Sequence, residues 1–244
     1  MRRMLNHHFF DRIASATRTP VSDCMTDVIG SETTSGACTA CGAKPASHAC
    51  PQCGRIQPLA EGTDYFAFFG LPRRLRLDET ELEKSFYALS RQFHPDYFMN
   101  ASEDERRAST ERSSTLNDAY RTLRDPVSRA QYLLSLEGYK EAEKKAPPEL
   151  LEEVFELNMQ IDELRAAKKS GDEDDVDAAR SSLEDALAGL KEKLSGIDRR
   201  LHALFDEWDA APVEARRATL DRMSELLSHR SYIRNLVRDI KEEV

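Results

Sequence analysis

Long apolar runs are missing from this chain of 244 residues. None approaches the roughly 20 residues a helix needs to cross a bilayer, which excludes a membrane-spanning reading. Glycine and proline are scarce, ten of each, and they cluster at a few joints, so the stretches between them are free to run as helices. Positive charge is not in excess either: the formal net charge is −9. That argues against nucleic acid as the main partner, because phosphate recognition needs a basic footprint that is absent outside short local clusters. Nor is the equipment of an enzyme legible, with no nucleophile beside a base, no phosphate-cradling glycine loop and no open metal site. What is present, 40% apolar and 32% charged residues, marks a soluble, helix-rich protein long enough for more than one core.

The first 35 residues read as a leader. Arg2, Arg3, Arg12 and Arg18 face a single acid, Asp11, and Leu5, Phe9 and Ile13 are spaced four apart. A basic amphipathic helix of this make-up is that of a mitochondrial transit peptide, and a disordered basic tail is the alternative. The transit reading places the protein in the mitochondrial matrix; without it the location is cytoplasmic. From about Val21 to Gly36 the chain is rich in Ser, Thr and Asp and reads as a linker.

Residues 36–57 carry four of the five cysteines, as Cys38-x-x-Cys41 and Cys50-x-x-Cys53 with eight residues between the pairs. Gly42 and Gly54 come directly after the second cysteine of each pair and allow a tight turn. Four thiolates on a tetrahedral zinc ion leave no open position, so the expected site is structural and metal binding supplies its folding free energy. Two disulfides would suit a secreted chain, and an iron–sulfur cluster is chemically compatible with four cysteines. Zinc is the reading adopted, with His48 facing water.

The stretch LEKSFYALSRQFHPDYF, Leu82 to Phe98, organises the middle of the chain. Leu82, Phe86, Leu89 and Phe93 fall on one face of a helix, with Lys84 and Arg91 off that stripe. Pro95 ends the helix and pushes His94 out of the α region, so His94, Pro95 and Asp96 are expected on an exposed, stiff turn. Asp64 is an N-cap candidate for a short first helix that ends at Gly70 and Pro72. Asp78 with Glu81, and Ser102 with Glu105, read as capping boxes for the next two helices. The third helix runs to about Arg124, and Asp125-Pro126 opens a fourth that closes at Gly138. The second and third helices are expected to clasp through Phe86, Leu89 and Phe93 against Leu116, Ala119, Tyr120 and Leu123.

With YFAFFGLP, HPDYF and LNDAYRTLRDPVSRAQYLLSL, residues 64–138 resemble a J-domain of the HscB-type co-chaperones of iron–sulfur cluster assembly. The four cysteines match the eukaryotic, mitochondrial-like form with an N-terminal tetracysteine module. No Gly/Phe-rich segment comes after it, as it would in a general J-protein. The resemblance implies that His94, Pro95 and Asp96 bind a DnaK-type ATPase chaperone and trigger its ATP hydrolysis, helped by Lys84 and Arg91. Glu79, Glu81 and Glu83 make this helix less basic than many in the family, and Arg73, Arg74 and Arg76 in the preceding loop are expected to compensate.

Residues 147–244 read as three long helices, which implies an antiparallel bundle. The first starts after Pro147-Pro148 and closes at Gly171, with a seam of Leu150, Val154, Leu157, Ile161 and Leu164. The second carries Leu183 through Trp208, and the third, after Pro212, carries Met223 to Ile240. The surplus is Leu151, Phe155 and Met159, four apart on a face away from that seam and flanked by Glu156 and Glu163. A second apolar stripe asks for a partner. The resemblance implies that this face, with Tyr232 on the last helix, holds an iron–sulfur scaffold protein; Glu152 and Met159 depart from the family's pattern. The alternative is that Leu151 and Phe155 pack where the two domains meet.

The expectation is therefore an all-α protein: a J-domain hairpin and a C-terminal three-helix bundle in an L shape, with a small tetracysteine zinc module in front. Its expected role is to bridge the scaffold and the chaperone; the alternative is a zinc-containing J-domain adaptor for general unfolded clients.

Overall fold

The computed structural model describes residues 37–38, 40–44, 48–60, 62–139 and 148–243. The leader expected over residues 1–35, the lone Cys24 and the joint at Pro147 lie outside the described residues. Seven α-helices are found among the described residues.

The first four occupy the stretch expected to be a J-domain. Asp64 accepts from the backbone N–H of Ala67 and starts α1, Tyr65–Phe68, which buries Phe66 and Phe68. Asp78 caps α2, Glu79–Phe93, by accepting from Thr80 and Glu81. The reciprocal half of the expected capping box is missing here, because the Glu81 carboxylate takes the Lys84 ammonium at 2.6 Å. Ser102 and Glu105 do form the full box at the start of α3, Glu103–Arg124. Pro126 sits at the first turn of α4, Pro126–Leu136, with Asp125 as its cap.

Helices α2 and α3 run antiparallel, with Phe86 stacked on Tyr120 at 4.3 Å between ring centroids. Leu82, Phe93, Leu116 and Leu123 are fully buried between them and α1, each contributing about 1.5–3 kcal/mol relative to exposure.

Gly171 adopts φ 78° and ends α5, Leu151–Ser170, a left-handed conformation that glycine takes without a Cβ clash. Helix α6 spans Glu173–Ala210 and α7 spans Arg216–Glu243. Lys193 meets Glu153 at 2.5 Å and Arg230 meets Asp198 at 2.6 Å, so α6 runs antiparallel to both of its neighbours. The seam residues Leu157, Leu164, Leu183, Leu190, Leu201 and Met223 are buried as the spacing requires. Buried apolar side chains form one continuous cluster from Phe66 to Ile240, so the J-domain and the bundle share a core.

Candidate functional site

At the end of α2 the backbone of His94 turns to φ −58°, ψ 125°, as expected for a residue before proline. Residues Pro95–Phe98 then make one turn of 3-10 helix that the sequence reading did not foresee. His94, Pro95 and Asp96 are exposed. The His94 Nδ1 accepts from the Asp96 N–H at 3.4 Å and lies 3.5 Å from the Asp96 Oδ2, a local lock on the corner. Lys84 and Arg91 are exposed on α2, seven residues apart and hence on one face. Tyr87 stands exposed between them; its spacing from Lys84 and Arg91 was the signal that could have placed it there.

Arg73 and Arg76, expected to supplement that basic face, are paired with acids of their own molecule. Arg73 is tied to Asp64 at 2.7 Å and to Glu137 at 3.6 Å. Arg76 donates to both oxygens of Asp206 on α6, at 2.7 and 2.8 Å. Two arginines that looked free to meet a partner instead close contacts within the molecule, with acids from 9 to 130 residues away. Arg74 remains exposed.

Ahead of the J-domain, the four cysteines are free thiols with Sγ atoms all within 4.8 Å of one another. Cys38 and Cys53 are 3.7 Å apart, Cys41 and Cys50 3.5 Å. A tetrahedral thiolate centre with metal–sulfur bonds of about 2.3 Å has edges of about 3.8 Å, so the donor set fits such an ion. The glycines after each pair adopt φ 73° at Gly42 and φ 75° at Gly54, as the tight turns demand.

The electrostatics point the same way. The backbone N–H groups of Ala40 and Cys41 draw the Cys38 thiol down to about 6, against its burial. The N–H of Cys53 acts similarly on Cys50, which is also lowered. At Cys41 the N–H of Ala43 favours the thiolate, but the neighbouring Cys50 and burial outweigh it and push the thiol up to about 12. Cys53 is raised in the same manner. The cluster resists carrying four thiolate charges unless a cation offsets them.

His48 was expected in water and is buried, with 7% of its surface exposed. Its Nε2 donates to the Phe68 carbonyl at 2.8 Å, and its ring meets Phe68 at 4.6 Å and Phe93 at 5.4 Å. Burial holds its pKa below the usual imidazole range. Sequence spacing gave no hint of this, since its contacts lie 20 and 45 residues away.

On α5, Leu151, Phe155 and Met159 expose 55%, 67% and 51% of their surface. Packing beneath the J-domain is thereby excluded for them. Glu156 and Glu163 are exposed beside them. Tyr232 is half-buried on α7; the ion pair of Arg165 with Glu243 sets an offset of 78 residues, which puts Tyr232 level with Val154.

The DnaJ domain model matches residues 64–132, from the cap of α1 into α4. The crystal structure of the human co-chaperone protein HscB matches with a TM-score of 0.64 and 27% identity, covering 84% of this chain and 97% of that one. Chaperone HscB from Vibrio cholerae matches with a TM-score of 0.53 and 27% identity, covering 73% of this chain and 96% of its own. The chain thus carries a DnaJ domain and matches HscB-type J-domain co-chaperones in structure.

Co-chaperones of this type are not enzymes themselves. In this chain the exposed corner, the exposed apolar stripe and the cysteine cluster are the candidate binding features. The residues that tie them together, His48, Gln57, Ser109, Arg112 and Asp209, carry no short-range signature.

Proposed function

We propose that this chain bridges an iron–sulfur scaffold protein and a DnaK-type ATPase chaperone. The scaffold docks on Leu151, Phe155 and Met159, with Glu156, Glu163 and Tyr232 around them. The chaperone docks on His94, Pro95 and Asp96, with Lys84 and Arg91 steering the encounter as rim charges do. Holding both partners raises the local concentration of scaffold at the chaperone, whose ATP hydrolysis drives cluster transfer to a recipient. The four cysteines hold a structural zinc ion, and the protein works in the mitochondrial matrix.

One observation carries this reading. Phe155 exposes 67% of its surface while Leu157, two residues on, exposes 5%, so α5 has an apolar face that its own molecule leaves uncovered. The exposed corner at His94 directly follows Phe93, which is part of the same continuous core as Leu157, and this makes one body with two faces for partners.

The test is a chaperone ATPase assay with and without scaffold, run beside a scaffold pull-down. His94→Gln is expected to abolish stimulation and keep scaffold binding; the pair Leu151→Ala and Phe155→Ala is expected to do the reverse. Undiminished stimulation by His94→Gln overturns the reading. Capture of a broad set of unfolded clients in place of one scaffold supports the general-adaptor alternative.

A further inference from the structure

The last carbonyls of a helix lack intrahelical partners, and at the end of α2 the gap is filled from α3. The Phe93 carbonyl accepts from the Ser109 hydroxyl at 2.6 Å and from the Ser113 hydroxyl at 2.9 Å. The Phe93 side chain, one residue before His94, is fully buried and meets the His48 ring edge-on. His48 is anchored in turn to the Phe68 carbonyl.

The cysteine module closes the circuit. The His48 carbonyl accepts from the Gln57 N–H at 2.8 Å, and the Gln57 side chain donates to the Cys38 Sγ at 3.4 Å. Arg112, on α3 between Ser109 and Ser113, is buried and donates to the Gln57 carbonyl. Arg55 reaches Glu105 at the start of α3, at 3.3 Å. The segment from Cys50 to Gln57 thus touches the helix whose serines hold the end of α2.

We infer that the tetracysteine module positions the His-Pro-Asp corner: His48 and Arg112 are positioning residues that transmit metal-dependent order in residues 48–57 to Phe93, and through it to His94. Residues 37–57 have too little apolar surface for a core of their own, so their order depends on the bound metal. When that order is lost, the Phe68 carbonyl and the Arg112 guanidinium lose their buried partners and Phe93 loses an aromatic neighbour. The last turn of α2 then opens more readily, and the corner is presented in many orientations in place of one. This rests on the proposed reading of the cysteines as a metal site and of the corner as the chaperone contact.

The test is hydrogen exchange followed by mass spectrometry on the full chain: loaded with Zn²⁺, stripped by chelator, reloaded, and as loaded His48→Leu and Arg112→Met variants. Stripping is expected to speed exchange of the amides of Gln92, Phe93, His94 and Tyr97 about ten-fold, to leave residues 183–240 unchanged, and to reverse on reloading. His48→Leu is expected to keep one zinc per chain and still show the faster exchange at those amides; Arg112→Met shows it if the other variant fails to fold. Unchanged exchange at those four amides, with residues 37–57 fully unprotected, overturns the inference, as does failure of the wild type to bind Zn²⁺. If exchange responds as expected but the loaded wild type does not stimulate a DnaK-type ATPase, the proposed function fails and the coupling stands.

Discussion

The carboxylate of Asp209, near the end of α6, accepts the backbone N–H of Leu75 at 2.9 Å and that of Arg76 at 2.8 Å. These N–H groups belong to the loop between α1 and α2, more than 130 residues earlier in the chain. Leu75 is fully buried, and the Arg76 guanidinium also donates to the His202 carbonyl at 3.1 Å. A loop that would otherwise leave two donors unpaired is thereby fixed to the bundle. On the other side Tyr139 donates to Asp221, and the Arg217 guanidinium lies 4.5 Å from the centre of the Tyr139 ring.

Removing the Asp209 carboxylate therefore leaves two N–H groups without acceptors, one on a buried residue. Asp209→Ala is expected to lower unfolding stability by about 1–3 kcal/mol. Urea unfolding monitored by the fluorescence of Trp208, the one tryptophan in the chain, checks this. A change under a few tenths of a kcal/mol would mean that water replaces the carboxylate.

Acid should weaken the same junction. The Arg76 guanidinium, donating to Asp206, holds that carboxyl below its ordinary range. A group with a lowered folded pKa stabilises fully above its unfolded pKa, about 3.9 for Asp, and loses that contribution as pH falls through the folded value. The urea midpoint of the wild type is thus expected to fall below about pH 4. Asp206→Asn should start lower at neutral pH and fall less. Parallel declines would show that the pair contributes nothing.

The exposed stripe on α5 predicts a separation of binding from stability. Leu151→Ala and Phe155→Ala are expected to change unfolding stability by no more than about 0.5 kcal/mol each. Leu157→Ala, on the buried seam of the same helix, should cost about 2–5 kcal/mol. Chemical denaturation of the three variants decides the matter; equal losses would mean that the stripe is covered.

Gly54 tests the cysteine turns. At φ 75° an alanine is strained by about 1–2 kcal/mol, although a Cβ there would touch nothing within 4 Å. Because order in this segment is linked to metal binding, the strain should appear as roughly ten-fold weaker zinc affinity in a chelator competition. Gly54→Asn, which tolerates the left-handed region better, should lose less. An alanine variant that competes as well as the wild type would show that the turn does not limit binding.

Features governed by near neighbours were legible in advance. The four-apart stripe of α2, the caps at Asp64, Ser102 and Asp125, the stop at Gly171 and the seams of α5, α6 and α7 all depend on residues within a turn or two of each other. The paired cysteines were equally readable, since each pair bends around one tight turn. Where the reading erred, a group beyond the helical pattern, near or far in the chain, had intervened. Glu81 left its cap for Lys84, a local choice between two donors, but Arg73 and Arg76 were taken by Asp64, Glu137 and Asp206, and His48 by Phe68.

The amino-acid order by itself determined the helices, their ends, the corner at His94 and the four thiols, because periodicity, caps, proline geometry and ligand spacing act over a few residues. Only the tertiary structure decided which charged and polar groups were free for partners. Burial and hydrogen bonding join positions 20 to 134 residues apart. It was packing across those separations that took His48 out of water, tied Arg76 to α6 and left Phe155 uncovered.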